Sequence, residues 1–248
     1  MKKMVKKVLG AVYPDSLTEA LSQNMRSAWR ILAWHFHRGF GRADRKIINR
    51  YFRETGSRKL HIGCGGNALD GWLNSDFFPE SENIIHLDAT QPFPFADNEF
   101  DFVFSEHMIE HIPYPQGLFM LSECRRVLTG KGKIRISTPD LSFLIGIYGN
   151  GKSELQENYI KWTVDKFIQT PRECSDTFVI NNFVRAWGHS FIYDEKTLRA
   201  AMEKAEFSAI RRCELNESEE EVFRNLENER RMPPGFLRLE TMTLEATK

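Results

Sequence analysis

Residues 60–76, LHIGCGGNALDGWLNSD, set a short apolar run before Gly63, Gly65 and Gly66 and close on Asp76. Glycine turns the chain without a Cβ and lets backbone approach a ligand closely. GCGGNA also satisfies the G-x-G-x-x-A pattern of dinucleotide sites, in which a pyrophosphate meets a helix N-terminus. That reading asks for an acidic residue roughly 20 positions past the turn, with a full crossover helix between. Asp76 follows too soon, with room for one helical turn. The loop therefore leaves open a ligand without phosphates.

Outward from this loop the chain alternates. Short apolar runs at 58–63 (RKLHIG), 72–76 (WLNSD), 83–88 (NIIHLD), 100–105 (FDFVFS) and 133–138 (KIRIST) read as strands, each finishing on a glycine or a small polar or acidic residue. A helix is expected over about 115–128, with Leu118, Leu121, Cys124 and Leu128 at helical spacing and TGKG closing it. Such alternation predicts a mostly parallel α/β sheet whose ligands bind beyond the carboxyl ends of its strands. Residues 141–188 break the rhythm. They are helical in composition and rich in aromatics (among them Phe143, Tyr159, Trp162 and Trp187), which suggests an insertion over the site or, for most of these rings singly, plain packing against the sheet. A helix capped by Asp194 follows, then two strands near 208–216 and 237–246, separated by the charged stretch 216–235.

The chain has 248 residues, 41% of them hydrophobic, enough for one enzyme-sized core. Cys64, Cys124, Cys174 and Cys213 form no CxxC pair, which suggests neither a zinc site nor a disulfide framework and points to a reducing, cytoplasmic setting. No apolar run approaches the roughly 18 residues of a membrane span. A net charge of zero conceals polarity: residues 1–53 hold twelve lysines and arginines against Asp15, Glu19 and Asp44, which is +9, and leave −9 for the rest. We read 1–57 as a basic helical extension, in which Trp29, Ile31, Leu32, Trp34 and Phe36 among Arg26, Arg30 and Arg38 suit an amphipathic helix. It is either a solvated appendage or a peripheral patch for an anionic surface such as lipid headgroups.

KLHIGCGGN (59–67), GWLNSDFFP (71–79), IIHLDATQPFPFADNEFDFVFSEHMIEHI (84–112), ECRRVLTGKGKIRISTPDL (123–141) and GHSFIYDEKTLRAAMEKAEF (188–207) resemble successive motifs of class I S-adenosylmethionine-dependent methyltransferases. They are most similar to the bacterial branch associated with sugar and polysaccharide biosynthesis. The resemblance spans 58 to about 246, with 86–140 its most specific part, and omits the N-terminal extension. It implies a Rossmann-like seven-stranded sheet with helices on both faces, a methyltransferase domain over 58–248 and a helical insertion after the fifth strand. It also implies that Gly63, Cys64 and Gly65 lie against the amino-acid moiety of S-adenosylmethionine. Asp76 would take the ribose hydroxyls, Asp88 and the Ala89 N–H the adenine, and Ser105 the methionine side. Of these, Cys64 reads as a packing residue rather than a nucleophile. Three positions depart from the pattern: His61 stands in place of an acid, Asn67 in place of a third glycine, and Glu206 where a glycine usually ends a helix.

Methyl transfer from a sulfonium needs alignment, exclusion of water and, for a hydroxyl acceptor, removal of a proton. SEHMIEHI brings His107, Glu110 and His111 together beyond the fourth strand, and His189 follows the insertion. His111 or His189 is a candidate general base, with Glu110 orienting it. A second reading has the cluster hold a divalent cation that positions acceptor hydroxyls; His107 then stands where a hard oxygen ligand is wanted, and the reading carried forward places no metal there. A third has Glu110 and His111 bracing the short helix and His189 bonding backbone. His35, His37 and His86 show no such pattern. The expected activity is O-methylation of a sugar, glycan or small-metabolite hydroxyl rather than of nucleic acid, because the basic bias lies outside the core. The alternative is a non-catalytic scaffold of the same fold in a glycan-assembly complex. The sequence leaves oligomeric state open.

Overall fold

A computed structural model of the chain describes residues 41–168 and 175–248. The amphipathic stretch around Trp29–Phe36, with His35, His37 and Cys174, lies outside the described residues. The chain divides into two units between Arg50 and Tyr51. The first is described only from Gly41, where it contributes the opening turns of α1 (Arg42–Glu54). Among the described residues no helix is long and apolar enough to cross a membrane.

In the second unit β1 (Lys59–Ile62), β2 (Leu73–Asp76), β3 (Ile85–His86), β4 (Phe100–Glu106), β5 (Leu128–Pro139), β6 (Ser208–Cys213) and β7 (Thr241–Thr247) form one sheet, ordered β3-β2-β1-β4-β5-β7-β6. Strands β1 to β5 are parallel, and β7 runs antiparallel between β5 and β6. This is the expected Rossmann-like sheet. Chain order steps from β1 out to β3 and returns to β4 beside β1, so it reverses at the β1–β4 pair. Such a reversal opens a crevice at the carboxyl ends, because the connections leave in opposite directions. The register sets Ile62 opposite Ser75 and Ser105, so Gly63, Asp76 and Glu106 come one step later on their strands, at the same sheet end.

Among the described residues the connections leaving β1, β2 and β3 (63–72, 77–84 and 87–99) are turns with no helix. The sheet face there is covered from elsewhere. Phe223 and Leu226, in the β6–β7 connection, pack on Trp72 and Phe104. The same connection is fixed by Arg135 of β5, whose side chain is 0% exposed. Its Nε and Nη2 donate to the two oxygens of Glu227 (2.7 and 3.1 Å), and Nη1 donates to Glu245 Oε1 (2.6 Å) and the Glu217 carbonyl (2.9 Å). Ser137 Oγ and the Asn216 N–H also donate to Glu227. The charged stretch 216–235 is thus clasped to the sheet.

Helix α2 (Tyr114–Val127) ends where Leu128 begins β5, so TGKG belongs to the strand instead of closing the helix. Leu128 pairs with Phe100, and the register shifts before Phe102. A Cβ on Gly132 would come within 2.9 Å of Leu128 Cδ2 and 3.0 Å of the Thr129 nitrogen, so a glycine fits this irregular segment closely. The described part of the insertion comprises α3 (Leu141–Gly146), α4 (Glu154–Phe167) and α5 (Asp176–Arg185). Asp140 caps α3, and Ser153 with Gln156 forms a capping box on α4. Phe143, Tyr159 and Phe183 share an apolar cluster with Phe236, so these rings are packing residues. Helix α6 (Glu195–Lys204) is capped by Asp194, as expected. Glu206 adopts φ +62°, and the Phe207 N–H returns to the Met202 carbonyl, so a left-handed helix end forms without glycine. The last strand starts later than its sequence suggests. Phe236, Leu237 and Glu240 are buried at helical spacing, which winds 236–240 into α7 (Phe236–Glu240) before β7.

An apolar side chain at Arg135 would leave the buried Glu227 without its cation, while Glu245 would keep Arg211. Arg135→Leu should cost about 3–5 kcal/mol in urea unfolding. A loss below about 1 kcal/mol would show that the clasp is dispensable.

Candidate active site

The glycine turn is shaped from two sides. Gly63 has φ +70°, and a Cβ there would meet Met108 Cγ at 2.3 Å. Gly65 has φ +48°, and a Cβ there would have nothing within 4 Å. The first glycine admits a neighbour and the second faces open space. The Gly65 N–H donates to Asp76 Oδ2 (2.9 Å) and the Phe78 N–H to Asp76 Oδ1 (2.7 Å), so the carboxylate at the end of β2 is oriented by backbone on both sides. Cys64 is buried, and its N–H reaches the Ser75 carbonyl. Burial, reinforced by Asp76, pushes its thiol up to about 12, in keeping with a packing residue.

Asp88 lies two residues beyond His86, the β3 partner of Asp76. Its Oδ1 accepts from both the N–H and the hydroxyl of Thr90 (2.9 and 2.7 Å), a local turn that holds the carboxylate. Ala89 is buried in that turn. Ser105, near the end of β4, is 1% exposed, and its Oγ has no hydrogen-bond partner among the described residues.

His61 does not face the crevice. Its Nδ1–H donates to Asn74 Oδ1 (3.1 Å), its ring lies 4.9 Å from that of Phe104, and it is 1% exposed. An acid does approach the glycine turn, from β4. Glu106 Oε2 accepts from Asn67 Nδ2 (3.4 Å), the Asn228 N–H donates to Glu106 Oε1 (3.2 Å), and Arg231 Nη2 lies 3.5 Å from Oε1. Burial raises this carboxyl above the usual range, and Arg231 opposes the rise. Sequence reasoning passed over Glu106, Asn228 and Arg231. Glu106 directly follows the strand-end serine, which was the available signal, whereas Asn228 and Arg231 arrive from about 120 residues away with none.

Beyond β4 the backbone turns at His107, whose φ is +47°, into a 3₁₀ turn over Ile109–His111. His107 Nε2 meets Thr241 Oγ1 at 2.8 Å, and its Nδ1 lies 3.5 Å from Glu110 Oε1. Glu110 is wholly buried. Its Oε2 accepts from Thr138 (3.0 Å), while Oε1 has no hydrogen-bond partner among the described residues and lies 3.9 Å from His111 Nε2. Burial raises the Glu110 carboxyl to about 8. Burial likewise lowers His107, His111 and His189 below the usual imidazole range, so these rings are neutral near pH 7.

The chain leaving the insertion docks on this turn. The Ser190 and Phe191 N–H groups donate to the Glu110 carbonyl (2.7 and 3.1 Å), and Ser190 Oγ donates to that of His111 (3.1 Å). The rings of His111 and His189 consequently meet edge to face at 5.1 Å. His189 Nδ1 donates to the Phe183 carbonyl (2.7 Å), so Nε2 is the nitrogen it presents. One donor atom each from Glu110, His111 and His189 lies within 4.8 Å of the others. His107 stands beside this trio, turned to Thr241.

Residues 60–136, under a third of the chain, match a family model described as a methyltransferase domain. No curated protein matches the chain significantly. Solved structures that it resembles include an S-adenosylmethionine-dependent methyltransferase from Archaeoglobus fulgidus, at 17% identity over 87% of this chain and 99% of that one, with a TM-score of 0.47. Another from Mesorhizobium loti has 13% identity over 78% and 92%, with a TM-score of 0.45. A third, Haemonchus contortus phosphoethanolamine N-methyltransferase 2 in complex with phosphomonomethylethanolamine and S-adenosylhomocysteine, has 16% identity over 88% of this chain and 56% of that one, with a TM-score of 0.47.

His61 generates a prediction about stability. Burial lowers its pKa from 6.5 to about 4. Above pH 6.5 the ring is neutral in both folded and unfolded chains. As pH falls, the unfolded chain binds a proton that the folded chain refuses, so stability declines until the buried ring titrates. Between about pH 7.5 and about pH 5 this site removes about 2 kcal/mol. His61→Gln should lose correspondingly less over that interval in urea unfolding, and equal losses would refute the assignment.

Proposed function

We propose that the chain is an S-adenosylmethionine-dependent methyltransferase acting on a hydroxyl of a sugar, glycan or small metabolite. The observation that carries this reading is Asp76, a strand-end carboxylate at the sheet's reversal point, bound to the N–H of a left-handed glycine that faces open space. The methyltransferase-domain match over 60–136 supports it.

The residues fit the cofactor's groups. Asp76 keeps lone pairs beyond its two backbone bonds and can accept from a ribose diol. Asp88, held through Oδ1, offers Oδ2 to an adenine amino group, with Ala89 beside it. The Ser105 hydroxyl, without a hydrogen-bond partner among the described residues, and the glycines at 63 and 65 suit the amino-acid end, with Cys64 as packing beneath. Glu106 supplies there the negative charge that His61 does not. Bound in this crevice, S-adenosylmethionine supplies a methyl group already activated on a sulfonium, so little chemistry is asked of the protein.

The chain's further task is to hold the acceptor and dispose of its proton. Glu110, His111 and His189 lie beyond the end of β4, where the crevice meets the segment returning from the insertion. With Nδ1 committed to Phe183, His189 offers Nε2 as proton acceptor, and Glu110 orients the histidines. Trp187, 46% exposed with its ring 5.7 Å from that of His189, presents an aromatic face of the kind that sugar rings stack on. The insertion following β5 is assigned the part of a cover over this edge. We assign the basic residues 1–53 to contact with an anionic surface rather than to the acceptor, and place the protein in the cytoplasm.

Calorimetric titration with S-adenosylhomocysteine should give micromolar binding, weakened at least ten-fold by Asp76→Ala or Asp88→Ala. Folded protein silent at millimolar ligand would overturn the reading in favour of the scaffold. Labelled-methyl transfer to a pool of sugars and glycans should identify the acceptor. On that acceptor His111→Ala and His189→Ala should each lower kcat at least ten-fold with cofactor affinity retained. Unchanged turnover in both would remove the histidines from the chemistry.

A further inference from the structure

We propose that Glu110, His111 and His189 form a three-ligand site for a divalent transition-metal cation, with open positions that take an oxygen of the acceptor. The site rests on geometry. One carboxylate oxygen and two imidazole nitrogens converge within 4.8 Å of one another. Donors about 2.1 Å from a common metal lie roughly 3–4 Å apart, so small side-chain rotations close the set.

A second observation points the same way. Glu110 is 0% exposed, yet Oε1 has no hydrogen-bond partner among the described residues; the ring nitrogens facing it, His107 Nδ1 at 3.5 Å and His111 Nε2 at 3.9 Å, both stand beyond hydrogen-bond reach. An orphaned buried acceptor is costly, and a cation at that point satisfies it. The surroundings are built as metal sites are. His189 Nδ1 donates to a backbone carbonyl, which fixes the tautomer with Nε2 toward the trio, and Thr138 donates to the other Glu110 oxygen. Two main-chain N–H groups hold the Glu110 carbonyl and thereby set the distance between the ligands' segments.

Two imidazoles and one carboxylate favour manganese, iron, cobalt or zinc over magnesium or calcium, which prefer all-oxygen shells. Three protein ligands leave positions free, and the His111 side chain, 37% exposed, marks their solvent side. A hydroxyl held there is acidified by the cation, and the histidines then act through the metal. This use of the site rests on the methyltransferase reading, whereas cation binding does not.

The test uses full-length protein freed of metal with chelator, titrated with CoCl2 and MnCl2 by calorimetry, with the cobalt visible spectrum as a second readout. One cation should bind per chain at micromolar affinity, with ligand-field bands of nitrogen and oxygen coordination. Glu110→Gln and His189→Ala should each weaken binding at least ten-fold, and His111→Ala, at a half-exposed position, keeps the test available if a buried variant misfolds. Absence of saturable binding, or binding that all three variants leave unchanged, overturns the site. S-adenosylhomocysteine is titrated into the same samples. Cofactor binding without cation binding sinks this inference alone, and cation binding without cofactor binding upholds the site while sinking the methyltransferase reading.

Discussion

A guanidinium removed from water has to be satisfied at every donor, and Arg135 meets that demand by drawing the β6–β7 connection across the sheet. Glu227 accepts two of its hydrogen bonds and Glu245 a third, while backbone carbonyls of Glu217 and Glu214 take others. The partners come from β7 and from a stretch with little secondary structure of its own. Once Glu227 is fixed, its neighbours Leu226 and Phe223 fall on Trp72 and Phe104. The face left without crossover helices after β1, β2 and β3 is closed in this way. A buried ion pair adds little net stability over an apolar replacement, but it specifies one arrangement, because misplacing the segment would leave Glu227 unpaired and take most of Arg135's acceptors away.

The same clasp reaches the crevice. Asn228 and Arg231 follow Glu227 directly and meet Glu106 at the end of β4, beside Asn67 of the glycine turn. The turn is gripped from the other side by Met108, which occupies the space that a side chain at position 63 would need. Gly63 therefore answers a packing demand as well as a conformational one. Met108 in turn belongs to the bend that starts at the left-handed His107 and delivers Glu110 and His111. The glycine turn and the Glu110–His111–His189 cluster thus share one backbone corner.

Much of this was legible in the sequence because it is local. Short apolar runs ending on glycine or on small polar or acidic residues pointed to the five parallel strands, and glycine spacing with an early Asp76 argued against a dinucleotide. Asp194 announced its helix. What could not be read depends on distant partners. Phe223 and Leu226 stand among acids with no period around them, so nothing local marks them as core. Glu106 resembles a solvated carboxylate until Asn228 and Arg231 arrive. His61 reads as a lost acid at the site, but Asn74 and Phe104 turn it into the sheet. TGKG looked like a helix stop because glycines end helices more often than they bend strands, and only the register shift at Phe100 shows which applies. The basic N-terminal segment lies outside the described residues.

One end of the sheet concentrates groups that burial penalises. Glu106, Glu110 and Glu240 all have carboxyls raised by desolvation, Glu240 to about 7, and Arg231 favours the charged form of each. A fold seeking stability alone would replace such carboxylates with apolar side chains, as it has done through the body of the sheet at Leu60, Val103 and Ile134. Apart from the Arg135–Glu227–Glu245 set, where the charges satisfy one another, these three raised carboxyls gather where β4 ends and the insertion returns. Glu240 is tied to Tyr159 and Glu106 to Asn67 and Asn228, so those two have structural partners. Glu110 differs, because one of its oxygens faces two histidines across a gap that no donor among the described residues fills. An arrangement in which local consistency fails at a single carboxylate, with every supporting bond around it in place, has the form of a site whose remaining partner comes from outside the chain.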